Sequence, residues 1–123
     1  KPGKNYQVFE VNPYLRIIEP EISVIGRKVV AKFKLEQVTS NEVYRISLFA
    51  HSHIDVSNKL NIVNRTEELN RSITDGEAFE LSINLEDYTS TLVPGKSYYF
   101  RIGAQSHGSE TKYNYSASVQ LDI

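Results

Sequence analysis

Cysteine, methionine and tryptophan are all absent from this sequence of 123 residues. Without cysteine, the chain has no disulfide, no thiolate nucleophile and no cysteine-bound zinc. A secreted eukaryotic domain of this size often contains a disulfide, so the absence favours a bacterial origin. The absence of an initiator methionine indicates a processed or excised part of a longer protein.

An excess of charge of one sign is also lacking, and so is any long apolar run. The 14 basic and 15 acidic residues give a formal net charge of −1. The chain therefore has no positive electrostatic field that would attract nucleic acid or an anionic membrane. No apolar run approaches the roughly 20 residues of a membrane-spanning helix. The length is enough for one domain with its own core. We therefore predict a globular domain that neither binds nucleic acid nor spans a membrane.

Alternation of apolar and polar residues is what the sequence does contain. In "KVVAKFKLEQV", the apolar side chains of one face are Val29, Ala31, Phe33 and Leu35. This period of two is typical of half-buried β-strands. The same pattern predicts strands at 43–51, 78–87, 98–105 and 118–123, with weaker strands at 14–18, 21–24 and 60–63. The polar segment 65–71 is interpreted as a loop or a single turn.

Turn-forming residues separate these alternating runs, and no amphipathic helical pattern lies between them. The lack of helices excludes a doubly wound fold. About seven short strands with frequent turns are typical of two packed antiparallel sheets. We therefore predict an all-β fold, an antiparallel β-sandwich, in which the alternation at 43–51 points Tyr44, Ile46 and Leu48 inward.

The segment "LVPGKSYYFRIGA", residues 92–104, is the most specific local pattern in the chain. It resembles the fibronectin type III pattern, in which a leucine and a Pro-Gly turn lead into strand F. The resemblance implies a fibronectin type III or immunoglobulin-like sandwich in which the Tyr98 hydroxyl bonds to backbone a few residues upstream. By the same resemblance Leu92, Pro94 and Gly95 are structural, and Phe33 takes the place of a familiar tryptophan in strand B.

A broader resemblance covers nearly the whole chain. The segments "FEVNPYLRI", "RKVVAKFKLEQVTSNEVYRISLFAH" and "VPGKSYYFRIGAQS" together resemble the C-terminal fibronectin-like domain of a Bacteroidetes surface lipoprotein family, associated with starch-utilisation-type (SusC/SusD-like) glycan uptake systems. The resemblance implies that residues 1–12 leave a preceding β-domain and that 13–123 form the sandwich. It implies outer-membrane uptake proteins as partners, and a location on the outer-membrane surface through a lipid anchor outside this fragment. That family has no established activity, so no catalytic residue is implied.

The segment "FAHSHID" poses the main chemical question, because His51, His53 and Asp55 follow an apolar strand in the order H-x-H-x-D. The metal-binding motif of metallo-β-lactamase-type hydrolases begins with this pattern. They also need a histidine directly after the aspartate, where this chain has Val56. The remaining histidine, His107, belongs to the opposite end of the sandwich, about 25 Å away for a strand of about eight residues. We therefore predict no metal and no cofactor.

Aromatic and basic residues gather on the outward face of strands C and F, which hold residues 45–50 and 98–104. Antiparallel pairing brings the start of F beside the end of C, and Gly103 leaves a bare spot on this face. The predicted exposed patch consists of Phe49, His51, Tyr99, Arg101, Tyr113 and Tyr115. Exposed aromatic patches mark interaction sites, and sugar rings stack on such side chains. The absence of tryptophan counts against strong sugar binding.

Three functions follow as hypotheses. The first is a non-catalytic accessory or interaction module of a bacterial cell-surface lipoprotein, which supports glycan capture by burying the C–F face against partners. The second is a direct carbohydrate-binding module that uses Tyr99 and its neighbours. The third is a metal-dependent hydrolase acting through His51, His53 and Asp55, which the missing further ligands disfavour. We predict that the chain is not an enzyme.

Overall fold

The computed structural model describes residues 15–37, 42–107 and 113–123. Within these ranges the strands are β1 (Leu15–Ile25), β2 (Lys28–Gln37), β3 (Val43–His51), β4 (Val63–Arg71), β5 (Glu77–Asn84), β6 (Ser97–Ser106), β7 (Tyr113–Tyr115) and β8 (Val119–Asp122). A short 3₁₀ helix, Leu85–Tyr88, lies between β5 and β6. No helix in the described ranges is long and apolar enough to cross a membrane. The linker predicted at 1–12 lies outside the described residues, and its boundary stays a prediction.

The strands form two antiparallel sheets. The smaller sheet has the order β1-β2-β5, and the larger has the order β4-β3-β6-β7, with β8 also paired to β6. The short strands β7 and β8 share one edge of β6, β7 near its end and β8 near its start. The predicted all-β antiparallel sandwich is therefore confirmed, and its last strand is divided in two.

The main core lies between the sheets, where the inward side chains of the alternating runs meet. Its centre consists of Val29, Ala31, Phe33 and Leu35 from β2, Ile46 and Leu48 from β3, and Phe100 and Ile102 from β6, each at most 2 % exposed. The ring of Phe33 stacks on Phe79 with centroids 6.0 Å apart. Full burial of one such side chain stabilises the fold by about 1.5–3 kcal/mol, so this alternation fixes which face of each strand turns inward.

The polar segment 65–71, predicted as a loop or turn, belongs instead to β4. This strand forms the edge of the larger sheet, and backbone hydrogen bonds to β3 hold it there. Val63 is in the core, Leu69 packs partly against it, and most other side chains of the strand are exposed. Charged side chains on an edge strand prevent pairing with other chains. The predicted strand at 60–63 is wrong as well, because β4 begins only at Val63.

Two bulges change which side chains face the core. β1 is one strand where two were predicted, and its pairing with β2 shifts between Ile18 and Glu21. In β3 the register shifts between Val43 and Arg45. Val43 takes the core position at 0 % exposed, and Tyr44 is only half-buried. The prediction that Tyr44 points into the core is therefore wrong.

The turn before β6 contains the contact that the fibronectin-like pattern implies. The Tyr98 hydroxyl accepts a hydrogen bond from the Val93 amide at 2.9 Å. Leu92 is fully buried at 0 % exposed. Gly95, after Pro94, has φ of +87°, a conformation that favours glycine. The residues assigned a structural role thus fix the entry into β6.

The antiparallel register gives the sandwich two distinct ends. His51 pairs with Tyr99 at one end of the larger sheet, which we call the lower pole. Val43 pairs with Ser106 at the other end, the upper pole. The β3–β4 loop, residues 52–62, follows β3 at the lower pole, whereas His107 follows β6 at the upper pole. His107 is therefore separated from the other two histidines by the length of the sheet.

Candidate functional site

The side of the larger sheet that faces away from the main core is called the outer face. Its cross-strand pairs include Phe49 with Arg101, His51 with Tyr99, Gly103 with Tyr115, and Gln105 with Tyr113. The sheet therefore brings all six predicted binding residues onto one surface. It does not leave them as an exposed patch, because several of them cover one another.

Phe49 is the main correction to the predicted patch, since its side chain is only 3 % exposed. The Tyr113 ring meets it edge-on, with centroids 5.5 Å apart, and the Tyr115 ring lies at 6.2 Å. Gly103 lies beneath these rings. A Cβ at that position would lie 2.8 Å from Phe49 Cε2 and 2.9 Å from Tyr113 Cδ1. The bare spot predicted at Gly103 is therefore filled by aromatic rings.

The two tyrosines of β7 are held between two arginines. Tyr113 and Tyr115 stack nearly parallel, with centroids 5.7 Å and planes 19° apart. The Arg45 guanidinium carbon lies 5.5 Å from the Tyr113 centroid, and that of Arg101 lies 4.6 Å from the Tyr115 centroid. Such cation–π contacts are favourable by about 0.5–2 kcal/mol. Both rings are half-buried, and this packing leaves little flat ring surface for a sugar.

Arg101 also acts as a clamp between two backbone segments. Its Nε donates to the Ser116 carbonyl at 2.7 Å, and its Nη1 donates to the Val56 carbonyl at 3.3 Å. The Tyr115 hydroxyl accepts from the Asn58 amide at 3.1 Å. These contacts place the β3–β4 loop over the outer face. Arg101 is therefore half-buried in structural contacts, where an exposed cation was predicted.

Val56 completes a second buried region on the outer face. It is 0 % exposed, yet it lies outside the main core cluster, as Phe49 does. We call Phe49, Val56, Tyr113 and Tyr115 the outer layer, with Arg101 as its clamp. Sequence reasoning missed Val56, Arg45, Asn58 and Ser116. The available signal was Gly103, because a glycine in a strand often marks the close approach of other groups.

The histidines of "FAHSHID" build a turn. The His51 Nδ1 accepts a hydrogen bond from the His53 amide at 3.0 Å, and the His53 Nδ1 accepts from the Asp55 amide at 3.1 Å. His107 Nε2 lies 2.7 Å from the Asn70 Oδ1 at the other pole. Within the described ranges, no three His, Cys, Asp or Glu side chains lie close enough to hold a metal ion. The H-x-H-x-D pattern thus has a local structural explanation.

At the lower pole, three planar side chains lie in a row across the strands, and two of them belong to the predicted patch. Tyr99 pairs with His51 of β3 on one side and with Gln120 of β8 on the other. Tyr99 and His51 are half-buried, and Gln120 is exposed. Directly paired residues have Cβ atoms about 5 Å apart, so one ring, one imidazole and one amide lie side by side. We call this set the Tyr99 row; sequence reasoning found two of its members and missed Gln120.

Two antiparallel sheets, a main core between them and a tyrosine-rich outer layer define a β-sandwich domain. Residues 15–120 match the family model described as Domain of unknown function (DUF3823_C), and the chain belongs to this family. No curated protein matches the chain.

Several solved structures share this fold. A putative carbohydrate binding protein from Bacteroides uniformis is 27 % identical, with a TM-score of 0.86 over 99 % of this chain and 63 % of its own. A DUF3823 family protein from Parabacteroides merdae is 23 % identical, with a TM-score of 0.77 over 99 % and 58 %. Another, from Bacteroides ovatus, is 19 % identical, with a TM-score of 0.76 over 98 % and 60 %. The chain spans about three-fifths of each, and a Bacteroidetes family is supported.

Proposed function

We propose that this domain is a non-catalytic accessory module of a bacterial cell-surface lipoprotein and supports glycan capture. The observation that carries the proposal is the likeness to the Bacteroides uniformis protein across 99 % of the chain at 27 % identity. That protein is longer, so a module that works beside another domain fits the likeness. The proposed setting is the outer-membrane surface, through a lipid anchor outside this fragment, with a preceding β-domain and outer-membrane uptake proteins as partners.

The physical role of such a module is to present a fixed surface. The outer layer and its clamp tie the β3–β4 loop to the sheet through the Arg101 and Tyr115 hydrogen bonds. A surface that is already ordered loses little conformational entropy when a partner binds. This favours docking and presentation, and it needs no bond-making chemistry.

Deletion of residues 15–123 from the full-length protein in its own bacterium tests the accessory role. We expect slower growth on at least one polysaccharide and unchanged growth on glucose. Immunoblotting of the cell surface must show that the truncated lipoprotein is still exported. Growth equal to the wild type on every polysaccharide, with the truncated protein present, would contradict the proposal.

Direct carbohydrate contact is the second candidate function, and the Tyr99 row is the observation that favours it. A sugar stacks its apolar ring face on an aromatic ring, and planar polar groups such as His51 and Gln120 flank this ring to meet hydroxyls. Calorimetric titration with a panel of soluble oligosaccharides tests it. We expect Tyr99→Ala to abolish the heat of binding and Tyr99→Phe to retain most of it. Equal affinity of Tyr99→Ala and wild type would exclude this row.

A further inference from the structure

The smaller sheet carries an open cleft of about 800 Å³. All three strands of the sheet contribute to it. Its charged lining residues are Glu19, Glu21, Lys32, Lys34 and Glu80. The volume falls within the range of about 300–1,000 Å³ that small-molecule sites occupy. This cleft belongs to a different sheet from the Tyr99 row, and none of the functions considered so far uses it.

A β-bulge shapes the cleft. Ile18 pairs with Lys34 and the next pair is Glu21 with Lys32, so Glu19 and Pro20 together lie opposite a single residue of β2. A proline lacks the amide hydrogen that a regular ladder needs, and it is found at bulges for this reason. We call the concavity beside these residues the bulge cleft.

Glu19 adopts a backbone conformation that its side chain disfavours. Its φ is +51°, in the left-handed region where glycine is the usual residue. Its carboxylate Oε1 lies 3.1 Å from Lys34 Nζ within the cleft. Residues held in such conformations cluster at functional sites, where the surrounding structure maintains them. The strained residue therefore places a charged group into the cleft.

The charges of the cleft nearly cancel. Glu19, Glu21 and Glu80 face two lysines. Lys34 is paired with Glu19, whereas Lys32 lies between Glu21 and Glu80 in the sheet register without an ion pair to either. A nearly balanced surface attracts neither a polyanion nor a polycation. It suits a ligand with many hydroxyls, which donate to carboxylates and accept from ammonium groups.

Apolar surface lies beside these charges. The cleft is also lined by Pro20 and by Ala78, an exposed residue that pairs with Lys34 and shares its side of the sheet. Sugar rings have an apolar face as well as hydroxyls. The charged groups of the cleft can therefore hydrogen-bond to the hydroxyls, and its apolar surface can pack against the ring face. We propose that the bulge cleft binds a neutral oligosaccharide. This inference rests on the proposed role in glycan capture, and it assigns the contact to the smaller sheet.

Calorimetric titration of the 123-residue chain tests the inference. The ligands are neutral oligosaccharides of glucose, galactose, mannose and xylose, with an oligogalacturonate as the acidic comparison. We expect a neutral oligosaccharide to bind with an affinity that changes little between low and high salt. We expect Lys32→Ala to weaken it by about fivefold or more, which corresponds to one lost hydrogen bond. Preference for the oligogalacturonate would overturn the proposal.

Two further variants separate recognition from folding. Lys28→Ala removes a lysine from the same strand and the same side of the sheet, but outside the bulge cleft, and should leave the affinity within about twofold, since it removes no proposed contact. Glu19→Gly removes a carboxylate and relieves the left-handed backbone. It should weaken binding without lowering the melting temperature. Equal weakening by Lys28→Ala and Lys32→Ala would overturn the proposal.

The outcomes also separate this inference from the proposed function. If Tyr99→Ala abolishes binding and the cleft variants do not, the bulge cleft is excluded and direct glycan contact stands. If no neutral oligosaccharide binds at millimolar concentration, the inference is overturned, and the accessory role is then judged by the growth experiment alone.

Discussion

Gly103 is the position on which the packing of the outer layer depends. Its φ is not in the left-handed region, so the need for glycine comes from the three aromatic rings around it. An alanine Cβ would lie 2.8 Å from Phe49 Cε2 and 2.9 Å from Tyr113 Cδ1. We expect Gly103→Ala to lower the free energy of unfolding by about 1–3 kcal/mol, as overpacking does. Urea unfolding monitored by circular dichroism measures it.

A double variant shows whether the rings are the cause. Phe49→Leu removes the atom nearest to the new methyl group, so Gly103→Ala should cost less in that background than in the wild type. Contacting residues are expected to behave non-additively in this way. The same cost in both backgrounds would show that steric contact with Phe49 is not the reason.

His51 illustrates how a residue with metal-binding chemistry serves a turn. Its Nδ1 accepts from the His53 amide at 3.0 Å, and an asparagine Oδ1 can accept at nearly the same place. We expect His51→Asn to change the free energy of unfolding by less than His51→Ala, which loses about 1 kcal/mol with the hydrogen bond. Chemical unfolding compares the two variants.

The same variants address the hydrolase hypothesis. The turn needs only an acceptor at this position, so bound zinc after purification should be equally low in the wild type and in His51→Asn. One equivalent of zinc in the wild type, lost in His51→Asn, would contradict the turn interpretation.

The alternating sequence pattern identified the strands that bury one face in the core. It failed for β4, which is held in the sheet mainly by backbone pairing. Alternation placed β2, β3, β5 and β6 because a period of two follows directly from a sheet with one buried side. β4 escaped detection because its backbone is held by β3, and Val63 and Leu69 are the members that reach the core. A polar edge strand has no periodic signal of its own.

The outer layer shows a different limit of sequence pattern. Alternation correctly placed Phe49 on the outward side of β3, but outward is not the same as exposed. Its cover comes from Tyr113 and Tyr115, which are distant in sequence, and from a loop held by Arg101. Contacts between distant segments leave no local pattern, so the burial of Phe49 could not be predicted.

The connection between β4 and β5 is held by one bidentate ion pair. Arg71 Nη2 lies 2.6 Å from Glu77 Oε2, and Arg71 Nη1 lies 3.2 Å from Glu77 Oε1. The pKa of Glu77 is lowered, first by the hydrogen bond from Arg71 and then by the amide of Thr74. A carboxyl with a lowered pKa stabilises the fold above its unfolded value of about 4.3. That contribution is lost as the pH falls through the pKa of the folded state.

Glu77→Gln should therefore lower the melting temperature at neutral pH, and the difference should shrink as the pH falls through the lowered pKa of Glu77 and its carboxylate is protonated. The effect is expected to be small, because both groups lie at the surface and water screens the pair. Glu67→Gln, an exposed carboxylate on β4, is the matched control and should show a weaker dependence on pH. A difference that stays unchanged over the whole acid titration of the folded protein would contradict the role of the ion pair.

The two sheets of the sandwich present different surfaces. The larger sheet buries Phe49 on its outer face beneath its own rings and loop, and the Tyr99 row lies at its lower pole. Among the residues that the structure describes, no rings or loop of this kind cover the bulge cleft on the smaller sheet, where Glu19 holds a strained backbone conformation. The candidate contact surfaces are therefore the Tyr99 row at the lower pole and the bulge cleft on the smaller sheet.

The molecule thus has two buried regions, the main core and the outer layer, and they need not open together. The Asn58 amide, bonded to the Tyr115 hydroxyl, reports on the outer layer, and the Ala31 amide of β2 reports on the core. Val56→Ala removes fully buried apolar surface from the outer layer. About 1.4 kcal/mol corresponds to a factor of ten in an equilibrium constant, so we expect native-state hydrogen exchange at Asn58 to accelerate by roughly tenfold.

Exchange at Ala31 should change much less, because its protection depends on contacts between the sheets. Ile54→Ala, two positions earlier in the same loop at a side chain 55 % exposed, should accelerate neither amide. Equal acceleration of Asn58 and Ala31 in Val56→Ala would mean that both regions form one cooperative unit. In that case the outer layer would contribute to global stability, and it could not loosen to expose Phe49 and the tyrosines without unfolding the whole domain.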